Sequence, residues 1–354
     1  METIRAFRRE DIPQVAALFE TAFVTGKTVP AGLDTYFERV FFESPLYDEA
    51  LPSFVHLDAN GSIVGFVGVQ PRRLHWRGRP LRAAVATKLM ASPAAGPLAA
   101  VRLMSRVFAG PQDLVLSDLS NDAGRRIWEG LGGVTSLLYS LQWQRPVRPV
   151  RHSLAWLRAR GVPGVITHSL QPLGSVADAL MARVGSGRVR PNGTEYSVED
   201  LPLDVLAARL PDLVGGRALR PEYDERSLQW LLRVAHQNEP HRVLRRRLVC
   251  DARHDAAGWF LYLLERGGVG EVIQLVARKG AADVVFQALL ADAWSSGVAM
   301  LSGRMEPGMV REMSARHCYF RQVDHWTLVH AKHPDIRDAI LGGNAFLSRL
   351  EGEW

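Results

Sequence analysis

The sequence predicts a mixed α/β (α+β) protein made of two units in tandem, and three observations predict it. Within twenty residues, Leu114 to Gly133, the spacing of apolar side chains changes from a strand-like run to a helical repeat. Strands and helices alternate in the same way on both sides of this stretch. After a break rich in proline and arginine, the same order of elements returns. The chain has 354 residues, more than one average domain and comfortable for two.

Composition sets the outer limits. Apolar residues make up 47% and charged residues 23%, a normal globular mixture that can fill a core and excludes a disordered chain. No apolar run approaches the ~18 residues that span a bilayer, and the opening METIRAFRREDI is charged from its start. No membrane is therefore expected, and the expected location is cytoplasmic. Cys250 and Cys318 stand far apart and outside any C-x-x-C spacing, which argues against a disulfide framework and for two buried small hydrophobes. His325, His330 and His333 sit partly on a strand-like segment, where odd spacings face opposite sides, so no metal is assigned to them. The net charge of +6 is nearly all arginine, since lysine stands only at positions 27, 88, 279 and 332. Such a surplus suits a nucleotide, a CoA diphosphate or an RNA backbone, and equally a plain solvated surface.

Taken in order, the chain starts with a short strand and an amphipathic helix that places Ile12, Val15, Leu18, Phe19 and Phe23 on one face. A second helix is predicted over residues 32–42. Phe54 to Leu57, Ile63 to Gln70 and Leu81 to Met90 read as a three-stranded meander, turned at Asn60-Gly61 and at Arg77-Gly78-Arg79. A helix follows in PLAAVRLMSRVF, with Leu98, Val101, Ser105 and Phe108 on its buried side. Leu114 to Leu119 is then a strand, Ser120-Asn121-Asp122 a turn that can cap a helix, and Gly132-Gly133 a stop. Ser136 to Trp143 closes the unit as its last strand.

This arrangement resembles the GNAT superfamily, the N-acyltransferases that use acyl-CoA. The resemblance rests on Asn121 opening a helix, an aromatic residue two turns later at Trp128 and a closing Gly132, together with the element order over residues 3–145. It implies two units, each a twisted, mixed and mostly antiparallel sheet flanked by helices. It also implies acetyl-CoA, or another acyl-CoA, as co-substrate and a small-molecule amine as acceptor. Met90, Ala91, Ala95, Gly96, Leu98, Ala99 and Asn121 are the residues that would touch the cofactor, the helix start near Gly96 meeting its diphosphate with backbone N–H groups. Asp118 is the candidate base. Where many members carry a tyrosine that returns a proton to the leaving thiolate, Trp128 stands here, and an indole N–H is far too weak an acid for that, leaving Tyr139 or water. The usual phosphate loop has an arginine and two small residues; Pro93 to Ala99 keeps one glycine, lacks the arginine and has a proline at 97, which removes a donor.

Gln144 to Arg151, with two prolines and three arginines, marks the boundary. The expected division is residues 1–147 as the first unit, 148–195 as linker and connecting helices, and 196–354 as the second. In the latter, Arg278-Lys279-Gly280 takes the phosphate-loop position, and Glu265 and Glu271 flank a hairpin. Two further readings stay open. Tandem GNAT-like units also form the Fem-type transferases that use aminoacyl-tRNA, the one reading that brings in a nucleic acid; a degenerate, non-catalytic binding protein is the other. A homodimer is compatible with all three.

Overall fold

The computed structural model describes residues 3–23, 32–96, 98–150, 153 and 196–353. Of the linker and connecting helices expected over 148–195, all but residues 148–150 and 153 fall outside the described residues, as does Pro97.

Strand β1 (Thr3–Ala6) leads into helix α1 (Ile12–Phe23), which buries Ile12, Val15, Ala16 and Leu18 and leaves Phe23 exposed. Helix α2 (Leu33–Phe41) packs Phe37 and Phe41 onto Phe66. Strands β2 (Phe54–Leu57), β3 (Ile63–Trp76) and β4 (Arg79–Ala91) form the expected antiparallel meander. Its second turn needs Gly78, at φ +82°, a conformation in which a Cβ would be strained.

Helix α3 (Ala99–Phe108) buries Ala99, Leu103, Met104 and Val107. This corrects the expected stripe through Leu98, Val101, Ser105 and Phe108. Leu98 is the N-cap and 56% exposed, and the ridge Ala99–Leu103–Val107 spares the core the hydroxyl of Ser105. Strand β5 (Leu114–Ser120), helix α4 (Asp122–Gly130) and the short β6 (Val134–Thr135) follow. The expected strand Ser136–Trp143 is instead a helical turn, α5 (Leu137–Ser140), and then a strand, β7 (Leu141–Pro146). Ser140 Oγ bonds back to Ser136 O at 2.7 Å, a local closure that favours the turn.

In the second half come β8 (Ser197–Asp200), α6 (Leu203–Val214), β9 (Leu219–Pro221) and α7 (Glu225–Asn238). They are followed by β10 (Val243–Cys250), β11 (Ala256–Leu264), β12 (Val269–Ala277), α8 (Ala282–Ser295) and β13 (Met300–Arg304). Helix α9 (Val310–Ala315), β14 (Tyr319–Gln322), β15 (Trp326–Ala331) and α10 (Pro334–Leu341) complete the chain of elements.

Two compact units result, and their segments interleave along the sequence. The first gathers residues 1–140, 217–235 and 323–354; the second gathers 141–216 and 236–322. The first sheet runs β1-β2-β3-β4-β5-β15-β6, with β9 on β3, and the second runs β14-β7-β13-β12-β11-β10-β8. So β7, from the first half of the sequence, lies in the second sheet between β13 and β14, while β15, from the second half, lies in the first sheet beside β5. Each sheet has one parallel pair among otherwise antiparallel ones: β4 with β5, and β12 with β13. A parallel neighbour requires a crossover, and α3 and α8 supply the two crossovers at equivalent places. Cys250 and Cys318 are buried and free, and burial pushes the Cys318 thiol up to about 12.

Candidate active site

The site lies in the first unit, where its one parallel pair separates. Strand β4 pairs with β5 only at Ala83–Val85 against Leu114–Leu116. Beyond Val85 it stays with β3, and beyond Leu116 β5 stays with β15. A cavity of about 480 Å³ opens between the two strand ends, closed above by α3, α4 and the end of α1. Its apolar wall includes Met104, Ile127, Trp128, Phe19 and Phe23. The apolar side chains that α1 and α4 turn out of the core, Phe23 and Ala123 among them, therefore line this space.

The polar groups are few. Strand β4 carries a bulge: Val67 faces both Lys88 and Leu89, and Lys88 takes φ +51°, an unusual value for a residue with a long side chain. Thr87, 3% exposed, presents an Oγ1 to the cavity wall that has no hydrogen-bond partner among the described residues. Such an orphan costs about 1–3 kcal/mol unless a ligand meets it. Asn121 caps α4, its Oδ1 accepting from Gly124 N at 2.9 Å, and lines the cavity. A Cβ on Gly124 would stand 2.3 Å from Ser120 Oγ, so a larger residue there would have to turn the Ser120 hydroxyl aside.

One wall is unexpected. The segment Ser348–Glu353 folds back against β3 and β5, and Glu353 lines the cavity at 5% exposure. Its Oε1 accepts from Ser117 Oγ at 2.6 Å, Leu119 N at 3.1 Å and Asp118 N at 3.2 Å. Asp118 in turn accepts from Glu353 N at 2.7 Å and from Arg349 at 2.9 Å. Behind it, buried Arg72 donates to Gly352 O at 2.8 Å and to Gln70 Oε1 at 2.9 Å. Burial pushes the Arg72 guanidinium down to about 10, against the opposing pull of Glu351. Glu351 is held above the usual carboxylate range by burial, although Tyr223 and Ser348 donate to it.

The residues expected to bind a cofactor occupy one neighbourhood. Ala91 and Asn121 line the cavity; Met90 is buried beside it on β4. Ala95 is buried in the helical turn Pro93–Ala95, Gly96 takes φ +75°, and Leu98 and Ala99 begin α3. The two expected catalytic residues are elsewhere engaged. Asp118 does not line the cavity and spends its oxygens on the Ser348–Glu353 segment. Tyr139 is buried in the core on the far part of the sheet, its hydroxyl donating to Ala345 O at 2.5 Å. Trp128 packs edge-on against Phe108 at 4.9 Å. Sequence reasoning missed Thr87, Lys88 and Glu353. The polar pair Thr87-Lys88 interrupting an apolar strand was a readable signal; nothing local marks Glu353.

In the second unit the corresponding residues are committed among themselves. Arg278 pairs with Asp251 at 2.8 Å, and Glu271 with Arg242 at 3.0 Å. At β13, the strand that matches β5, a Cβ on Gly303 would meet Trp143 Nε1 at 2.9 Å, so the indole packs flat against that backbone.

No protein-family model matches the sequence, and no curated protein resembles it closely enough in sequence to count as a relative. Solved structures do. The chain is similar to a GCN5-related N-acetyltransferase from Anabaena variabilis ATCC 29413, at a TM-score of 0.60 and 13% identity over 93% of this chain and 72% of that one. A GCN5-related N-acetyltransferase from Kribbella flavida gives 0.54 and 14%, over 93% and 70%. N-myristoyltransferase of Saccharomyces cerevisiae, solved with bound myristoyl-CoA and inhibitors, gives 0.51 and 12%, over 93% and 79%. The chain thus has the GNAT fold, in two units of mixed sheet flanked by helices.

Proposed function

We propose that the first unit is an acyl-CoA-dependent N-acyltransferase, with acetyl-CoA as the simplest donor and a small-molecule amine as acceptor. The observation that supports it is the cavity at the parting of β4 and β5, flanked by the starts of α3 and α4. An arm that alternates methylenes with amides suits such a slot, because its length is apolar and its few polar groups need isolated partners. Thr87 Oγ1 is one such partner, and Asn121 stands at the opposite wall. Met90, Ala91 and Ala95 would form the floor on the β4 side. The first-turn amides of α3 that follow Ala99, together with the N-cap Leu98, would meet the diphosphate, whereas Gly96 N and Ala99 N would first have to leave Pro93 O and Gly96 O, to which they donate at 3.3 Å. In this reading Asp118 anchors the wall rather than taking a proton, and Tyr139 serves the core.

Calorimetric titration with acetyl-CoA tests the reading. The expected result is saturable binding, weakened about 5-fold in Thr87→Val, which keeps the shape of the side chain and loses one hydrogen bond worth roughly 1 kcal/mol. Absence of binding to acetyl-, octanoyl- and myristoyl-CoA would refute it.

A further inference from the structure

The cavity passes through the first sheet, and the two faces it joins differ in chemistry. Successive residues of a strand point to opposite faces. Val67 and Ala86 pack with Met104 and Trp128 beneath α3 and α4, whereas Phe66 packs on the other face against Phe37 and Phe41 of α2. Helix α1 belongs to that second layer, since the rings of Phe19 and Phe37 stand 6.0 Å apart. At the parting of β4 and β5, Met104, Ile127 and Trp128 line the cavity from one face, and Phe19 and Phe23 from the other. A cofactor arm that enters between the starts of α3 and α4 occupies the first end, so an amine approaches the thioester from the α1 end. There the rings of Phe19 and Phe23 are 5.0 Å apart and inclined at 48°. Phe23 lines the cavity and is still 47% exposed, so a ligand arriving from solvent can cover it. Hydroxyl groups pressed onto two phenyl rings lose water without gaining a partner, while apolar carbon gains by leaving water.

Resting on the acyltransferase reading, we infer that Phe19 and Phe23 select the acceptor, and that the acceptor is a primary amine carried on an apolar, ring-sized body. The body packs on the two phenylalanines, where an aromatic ring finds offset or edge-on contact, and the amine extends to the thioester between β4 and β5. Phe19 is fixed against Phe37. Phe23, at the end of α1, is the contact that a substitution removes without opening the core.

Two primary amines that differ in the body alone, 2-phenylethylamine and ethylamine, test the selection in a thiol-release assay with acetyl-CoA. The expected result is a kcat/KM about 30-fold or more higher for 2-phenylethylamine in the wild-type protein, and a fall in that ratio of about 5-fold or more in Phe23→Ala. A ratio near one in the wild type, or one that Phe23→Ala leaves unchanged, overturns the inference. So does the pattern that a long acyl chain lying at the α1 end would give: octanoyl-CoA preferred over acetyl-CoA with ethylamine, that preference lost in Phe23→Ala, and the ratio between the amines unmoved. Acetyl-CoA binding without thiol release to either amine overturns it as well. Absence of binding to any of the three acyl-CoA donors in calorimetry would instead overturn the acyltransferase reading itself.

Discussion

Asp11 shows at the scale of one residue how burial and pairing compete. Burial alone would raise its carboxyl, but Arg5 donates two hydrogen bonds at 2.6 and 2.7 Å and Arg8 N a third at 2.9 Å, and the result is a pKa below the ordinary value. A carboxyl whose folded pKa lies below its unfolded one adds stability that is present above the unfolded value. That stability is lost as pH falls through the folded one. Asp11→Asn is therefore expected to cost roughly 1–3 kcal/mol at neutral pH, with the gap to wild type closing on acidification, as urea unfolding at a series of pH values would show. Glu351 has the opposite sign. Its raised carboxyl favours the protonated folded form, so its contribution is complete below the unfolded pKa and fades as pH rises through the folded one.

At the scale of elements, the exchanged strands matter most. Strand β7 brings Trp143, 1% exposed, into the second unit, where it meets Phe286 edge-on at 5.5 Å and lies against Gly303. Trp143→Ala is expected to destabilise that unit by about 3–5 kcal/mol. Hydrogen exchange would report the loss in β13 and β11, while amides of β3 and β4 keep their protection. Equal loss in both sheets would contradict the assignment of β7. Elements were also where the sequence was most readable. The meander of β2 to β4, the turn at Asn121 and the crossover order all follow from local spacing, capping and glycine chemistry. The buried face of α3 was not readable by the same logic, because two stripes differing by about one residue are both amphipathic, and only packing against β2, β3 and β4 chooses between them.

For the whole molecule, interleaving has a consequence for any attempt to divide it. Residues 1–147 alone would lack β9 and β15, leaving the β5 edge of the first sheet unpaired, and would carry β7 without its partners. An exposed edge of that length invites aggregation. The fragment is expected to be insoluble or unfolded by circular dichroism, while the full chain unfolds cooperatively; a soluble, folded fragment would contradict this. The site depends on the same long-range closure. Glu353 reaches Ser117 across 236 residues of sequence, and Arg72 reaches Gly352 across 280.

The sequence by itself determined the class of fold and most of the order of elements, since these depend on periods of two and 3.6, on caps and on turns, all local properties. It placed Asn121, Gly96 and Ala91 together because the resemblance did. Only the tertiary structure decided which sheet receives β7 and β15, which stripe of α3 faces inward, that Asp118 and Tyr139 are occupied, and that Glu353 is the carboxylate at the cavity. Strand exchange and the return of a distant segment are contacts between residues far apart in the chain. Their free energy comes from burial and hydrogen bonds that no local pattern encodes.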